Sequence, residues 1–389
     1  MPRSIGVVTV ARSDYGHLQP LLHEIRGAAD LELRLLVSGA HLSARLGATA
    51  ALIEKDGWAI ADRVDTGLDD DTPEAIGRAL GTAVREFTAA LARRRPDVLV
   101  VLGDRWEMLA AALAALPLAV PVAHLHGGEV TEGVIDEQIR HALTKLSHLH
   151  FAATEPYARR IRQMGEEPWR VHVTGAPGLD RFRTMTYLSR DELRARLGVP
   201  LTAPTLLVTY HPVTLALDRT EAELAALLAA LEAVDAELIV TYPGADAASG
   251  RVIDALRAFA ARRPHVHLAT SLGDEVYASL LRVVDAMAGN SSSGVIEAAS
   301  FALPAVNVGD RQRGRLRPPN VIDVGSSRDE MLAGIRRALD PSFRGGLGGL
   351  RNPYGDGYAA PRIAQALRTV ELGPALVVKR FVDADDGAS

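Results

Sequence analysis

The stretch VLGDRWEMLAAALAALPLAVPVAHLHGGEVTEGVIDEQIRHALTKLSHLHF, Val101 to Phe151, decides the reading of the fold. With the residues just before it, DVLVVLG (Asp97 to Gly103) reads as a buried strand. Asp104 to Leu116 then reads as an Ala/Leu-rich helix, and VPVAHLH as a second strand that ends in the Gly127-Gly128 turn. Strand, helix, strand is the crossover unit of a parallel sheet. Ligands of such sheets bind where the strands end, so Asp104, Arg105, His126 and Glu129 all fall at the predicted ligand edge.

Working outward, the same alternation continues in both directions. SIGVVTV, LELRLLVSG, HLHFAAT and WRVHVTG complete a first series of strands, with helical patterns such as His17 to Arg26 and Thr72 to Arg95 between them. TLLVTYH, AELIVTYP, HVHLATS, DAMAGNS and LPAVNVG form a second. The expectation is an α/β chain with two Rossmann-like, doubly wound domains. The Pro-containing segment Gly175 to Pro204 is the hinge candidate, which divides the chain into 1–178, 179–364 and a C-terminal helix and tail, 365–389. Arg344 to Ala359 reads as irregular loop, Ile363 to Leu372 as a last helix and Asp383 to Ser389 as a frayed tail.

At 389 residues and 48% hydrophobic, the chain can build two cores. A net charge of -5 gives no electrostatic case for nucleic acid or an anionic membrane. Cysteine is absent, which excludes disulfides and thiolate chemistry. The N-terminus runs directly into SIGVVTVA without a basic and then apolar leader, and no apolar run reaches the ~18 residues of a membrane span. A soluble, cytoplasmic protein is expected.

Four constellations carry chemistry, and each also has a plainer reading. In TVARSDYGHLQPLL a strand ends at Val10, a turn holds Arg12, Ser13 and Gly16, and a helix begins near Leu18. Amides at a helix start with a guanidinium suit a diphosphate, although an ordinary strand-to-helix turn looks the same. In AGNSSSGVIEAASFALPAVNVGDRQRGR, Ser291, Ser292, Ser293 and Gly294 follow a strand and open a helix, so hydroxyls and amides converge on a phosphate. Glu297 is expected on the first helical turn, where it can accept from ribose hydroxyls, and Arg311 and Arg315 follow the next strand. The alternative is an Asn/Ser cap with a surface acid. His211 of TYHPVT stands at a strand end, either as a donor to a leaving phosphate or as a structural imidazole. Finally, Asp104, Glu129 and Asp136 accompany His124, His126, His148 and His150. His-x-His on a strand places both rings on one face, which suits a metal, while the same groups serve metal-free proton transfer.

VTVARSDYGHLQPLL, LGDRWEMLAAALAAL, AHLHGGEVTEGVIDEQIRHALTKLSHLHF, YHPVT, GNSSSGVIEA and GDRQRGR, in this order, resemble the hydrolysing UDP-N-acetylglucosamine 2-epimerases of nonulosonate pathways, from about Ile5 to Val324. The resemblance implies a GT-B fold with a nucleotide sugar bound in the cleft between the two domains, usually in a homodimer. It implies no cofactor and no metal for the chemistry. The implied reaction is anti-elimination of UDP across C1 and C2 to a glycal, then addition of water at C1 with reprotonation at C2.

Asp104 and Asp136 match carboxylates of proton transfer in that family. Arg12, Arg105, Ser291, Ser292, Glu297 and Arg311 match nucleotide contacts, and His211 matches a histidine near the phosphates. Where many members read HIEGGE, this chain reads HLHGGE, so either His126 or Glu129 takes the role of the catalytic glutamate. That variant resembles the branch acting on 2,4-diacetamido-2,4,6-trideoxyhexose nucleotides, and both this sugar and UDP-GlcNAc remain open as substrates. YPGADAASG, with Asp246 kept and Gly244 in place of an Asn, is a second departure. A non-hydrolysing epimerase, a GT-B glycosyltransferase and a silent nucleotide-sugar binder are the competing functions.

Overall fold

Short runs of Val, Leu, Ile and Ala without polar alternation suit parallel strands, because helices cover both faces of such a sheet. The computed structural model describes all residues except 1, 44–47, 69, 71, 133–134, 203, 214–216, 244–248, 271 and 384–389. Gly244 and Asp246 therefore lie outside the described residues, as does all of the expected tail beyond Asp383.

The chain divides into two units. Unit 1 comprises Met1–Glu129, Ile135–Arg183 and Tyr354–Ser389. Its strands are β1 (Arg3–Thr9), β2 (Leu31–Ser38), β3 (Ile60–Val64), β4 (Val98–Leu102), β5 (Val122–Leu125), β6 (Leu149–Ala152) and β7 (Val171–Val173). They form one sheet in the order β3-β2-β1-β4-β5-β6-β7, parallel throughout, with Val7 beside Val100 and Val101 beside His124. Unit 2 comprises Val130–Val134 and Thr184–Pro353. Its strands are β8 (Thr205–Thr209), β9 (Glu237–Thr241), β10 (Val266–Ala269), β11 (Ala286–Gly289), β12 (Ala305–Val308) and β13 (Val321–Val324), in the parallel order β10-β9-β8-β11-β12-β13. Each sheet reverses its winding once, between β1 and β4 and between β8 and β11. At such a switch the crossovers diverge to opposite faces and open a crevice at the carboxyl ends of the strands.

Each unit has its own core. Leu18, Leu22, Ile25, Phe87, Val100 and Phe151 are among the buried side chains of unit 1, and Leu206, Leu227, Leu238, Phe259 and Ile335 among those of unit 2. Among the described residues, no helix is long and apolar enough to cross a membrane.

Four features depart from the sequence reading. The first helix begins at Arg12 rather than near Leu18, and Gly16 and Pro20 lie inside it. Asp14 explains the early start, since its buried carboxylate sits in the first turn and accepts from the Val10 amide at 3.4 Å. Strands β3 and β13 were not anticipated, and both are sheet edges that bury a single residue each, Val64 and Ile322, which blurs the apolar signal. The loop expected from Arg344 to Ala359 begins inside a short helix, Pro341–Gly345. Lastly, the units separate after Arg183, and the chain returns to unit 1 from Tyr354 onward instead of continuing the second domain to residue 364.

Helix Ala359–Thr369 accounts for that return. Its Ile363 and Leu367 are fully buried in the unit 1 core. The buried Asp180 accepts the two amides that open the helix, Ala359 at 3.0 Å and Ala360 at 2.6 Å. Arg170, 1% exposed, donates to the carbonyls of Ala375, Leu376 and Val378 beyond it. Replacing Asp180 with Ala leaves two buried amides without an acceptor and is expected to cost about 2 kcal/mol of unfolding free energy, measured by urea titration. An unchanged midpoint would show that this cap does not hold the helix.

Candidate active site

In unit 1 the predicted residues do collect at the carboxyl ends of the strands. Asp104 follows β4 in a tight turn after Gly103, whose φ of +74° suits glycine. Arg105 occupies the position just before helix Trp106–Ala115. Asp136 lies in the first turn of helix Ile135–Leu146. From that same helix Arg140, 2% exposed, donates to the Asp104 carboxylate, to Glu137 at 2.8 Å and to the backbone carbonyl of Glu129 at 3.1 Å. One guanidinium thus joins the ends of β4 and β5 to a helix. Burial and then the negative charge of Asp104 raise the Asp136 carboxyl above its ordinary range, against Arg105 and Arg140.

Strand β5 stops at Leu125, and His126 leaves it with φ +63°, a conformation rare for a residue with a side chain. The ring Nδ1 donates to the buried Glu129 carboxylate at 2.6 Å. The choice the sequence left between His126 and Glu129 is therefore a hydrogen-bonded pair. This turn also breaks the expected alternation, so His126 does not share a face with His124.

His124 donates from Nε2 to the Gly103 carbonyl at 2.7 Å and is fully buried. His148 accepts the Val122 amide at 3.1 Å, and His150 donates to the buried Glu166 at 3.0 Å. Glu166 also receives Lys145 and Lys379. Burial opposes its charge, but these three donors hold it down at about 2. Three of the four histidines are thus occupied within the core, and among the described residues no three His, Cys, Asp or Glu side chains are grouped to hold a metal ion.

Arg12 is exposed at the first position of its helix. Asp14, which carried no prediction, lies 3.4 Å from the Arg105 Nε.

In unit 2 the organising residue is Asn290, which the sequence reading passed over as a cap. Its buried amide accepts the His211 N–H at 2.7 Å and donates to the His211 carbonyl at 2.8 Å, tying the end of β8 to the end of β11. The Asn290 carbonyl accepts from Arg311 at 3.1 Å and Gln312 at 2.9 Å, which adds the end of β12. Gly289, at φ +132°, lets these strands meet; a Cβ there would fall 1.9 Å from the Thr209 carbonyl oxygen. A small cavity beneath is lined by Thr209, Gly289, Ser291, Gly294 and Asn307 among others.

Ser291 caps helix Ser292–Ile296, with its hydroxyl accepting from the Ser293 amide at 3.3 Å. The helix has only five residues, so its dipole contribution is small. Glu297 stands at its C-terminal end rather than on its first turn, and accepts from the Ser293 hydroxyl. Tyr277 in turn donates to Ser293 at 2.6 Å. A hydroxyl-to-carboxylate chain of this kind is invisible in a linear motif, because Tyr277 belongs to the preceding helix. Arg315 is half-buried and bonds through its backbone to Gln312 and Arg317; among the described residues it makes no hydrogen bond to the 290–294 loop.

These two parallel units have the GT-B type of fold. A Methanocaldococcus jannaschii UDP-GlcNAc 2-epimerase solved in complex with UDP-GlcNAc and UDP superposes with a TM-score of 0.77, covering 94% of this chain and 99% of that one at 19% identity. The family described as UDP-N-acetylglucosamine 2-epimerase matches residues 23–368, and the chain belongs to that family. A Legionella pneumophila protein named UDP-N,N'-diacetylbacillosamine 2-epimerase (hydrolyzing) is 38% identical over 96% of this chain and 97% of its own length. A Campylobacter jejuni protein named GDP/UDP-N,N'-diacetylbacillosamine 2-epimerase (hydrolyzing) is 38% identical over 82% and 84%.

The buried histidines make a prediction with a definite sign. Burial pushes His124 down to about 3, so the folded chain keeps it neutral while the unfolded chain protonates it near its ordinary value. Between those values the unfolded state binds more protons, and the His124 contribution to stability falls as pH falls from about 6.5 toward 3. A His124→Gln variant should show a flatter loss of urea midpoint on acidification than the parent. Parallel slopes would contradict this.

Proposed function

We propose that this protein is a hydrolysing UDP-sugar 2-epimerase whose substrate is a UDP-2,4-diacetamido-2,4,6-trideoxyhexose. One observation carries the activity. At the carboxyl edge of unit 1 stand a carboxyl group made more basic by its surroundings, Asp136, and an imidazole held by a carboxylate, His126 with Glu129. Elimination and hydration need two such groups. The HLHGGE sequence and the printed names of the two relatives support the diacetamido sugar over UDP-GlcNAc.

In this reading Asp136 takes the C2 proton while the C1–O bond to UDP breaks, giving UDP and a glycal. Burial raises Asp136 and the charge of Asp104 adds to it, while Arg140 holds Asp104 in place. His126 exchanges protons through Nε2 because Nδ1 is committed to Glu129. Water then adds, its oxygen to C1 and a proton to the opposite face of C2, to release the free 2-epimer. Unit 2 takes the nucleotide: His211 and Arg311, set by Asn290, with Ser291 to Gly294, meet the diphosphate, and Glu297 with Ser293 meets the ribose. Arg12 and Arg105 add positive charge for the departing UDP. Arg315 has a weaker case for the same role. We further assign a homodimer, for which Trp169, Val378 and Phe381, large apolar side chains left exposed on unit 1, offer a surface.

Incubation with the UDP-diacetamido sugar in D2O should release UDP and a free sugar deuterated at C2, followed by proton and phosphorus NMR. A deuterated UDP-sugar instead would indicate a non-hydrolysing epimerase, and UDP binding without turnover a silent binder. Replacing Asp136 with Asn should lower kcat by at least ~10²-fold, the scale of a lost acid/base group, with UDP affinity nearly unchanged. Wild-type turnover in that variant would remove Asp136 from the mechanism.

A further inference from the structure

A second imidazole stands beside His126. His17 lies in the second turn of helix Arg12–Gly27, and its ring centroid is 6.3 Å from that of His126, with the two planes tilted by 54°. The left-handed backbone at His126 takes its ring off the line of β5, and the helix that follows β1 brings His17 to meet it. At this separation no sugar passes between the rings, while a single water can join their edges.

The place of His17 is prepared by a glycine. Helix Arg12–Gly27 packs on the buried turn Pro177–Leu179, and a Cβ on Gly178 would fall against Nδ1 of His17 and 2.9 Å from its Cε1. Gly178 is not among the residues with positive φ, so its backbone does not require glycine. What excludes a side chain at 178 is the His17 ring. His17 is half-buried, with Nδ1 inside, so one ring spans from the packed turn to the solvent side of the helix.

His126 needs such a neighbour. Its Nδ1 is committed to Glu129, its side chain is only 15% exposed, and a sugar at this edge covers more of it. Resting on the hydrolysing-epimerase reading, we infer that His17 acts on the reaction through His126, as the imidazole that returns a proton to Nε2 after each hydration. Adding water to the glycal moves the Nε2 proton to C2. The second proton of that water and the one held by Asp136 leave to solvent. His17 hands a proton to Nε2 and takes one from solvent water in exchange. The net release of one proton per turnover matches the negative charge that UDP gains, and no electrons change hands.

Three variants of the full-length protein test the relay with the UDP-diacetamido sugar, with folding followed by thermal denaturation. His17→Phe keeps a ring over Gly178 but cannot carry a proton. It should lose ~10-fold in kcat with KM unchanged, less than the ~10²-fold expected for the acid/base group itself. Because His126 is then slow to reload, UDP should form faster than the free sugar, and the glycal should become visible by proton NMR. In His17→Ala, added imidazole should restore most of the lost kcat. Gly178→Ala, which must displace the ring, should lose a similar factor in the parent but less than ~2-fold when His17 is already Ala, as for residues in contact. A His17→Phe variant with the parent's kcat, one with raised KM and no glycal, or a His17→Ala variant that imidazole does not restore would each overturn the relay. If His17→Ala does not fold, the glycal released by His17→Phe decides. Absence of turnover in the parent would overturn the proposed function itself, whereas parent turnover with unaltered His17 variants would overturn the relay alone.

Discussion

A guanidinium cannot be taken out of water unless its donors are used, and Arg140 is almost wholly out of water. Its partners are Asp104, Glu137 and the Glu129 carbonyl, each on a different segment, so the ends of β4 and β5 are placed by the requirement to satisfy one cation. The remaining electrostatics of unit 1 follow from that placement. With Asp104 fixed, Asp136 has a like charge beside it and holds its proton more tightly. With the Glu129 backbone fixed, its side chain is within reach of His126, and the left-handed backbone at His126 is kept in one arrangement.

Unit 2 solves a parallel problem with neutral groups. Asn290 uses its amide on His211 and its carbonyl on Arg311 and Gln312, and so draws the ends of three adjacent strands together without adding charge. The difference matches the chemistry assigned to each unit. A region that moves protons gains from carboxylates whose basicity depends on their neighbours. A region that holds a diphosphate gains from keeping negative charge away, and Glu297, a buried carboxylate close to the loop, is turned toward the Ser293 hydroxyl.

Strands buried on both faces, such as VLVV in β4 and LIV in β9, were legible in sequence as continuous apolar runs, and the edge strands β7 and β10 were legible from the alternation in WRVHVTG and HVHLATS. The two that were not, β3 and β13, are sheet edges with exposed positions and thus no distinctive period. Site residues followed a similar rule. Asp104, His126, His211 and Arg311 stand directly after strands, and a parallel sheet puts such positions at its carboxyl edge. Asn290 and Arg140 escaped notice because their importance lies in bonds and burial made across the fold. The spacing of His124 and His126 presumes that the strand continues, and β5 ends one residue before His126.

The return of the chain to unit 1 from Tyr354 has a consequence for the order in which the protein can be completed. All seven strands of the first sheet are synthesised by Val173, but the helix that fills its core with Ile363 and Leu367, and the carbonyls that occupy Arg170, arrive only after the unit 2 segment. The unit 2 segment Thr184–Pro353 is finished earlier. On the ribosome, the half that begins first therefore closes last. Until then its buried cation and apolar groove await partners still to be made, which is the interval in which a chaperone has most to hold.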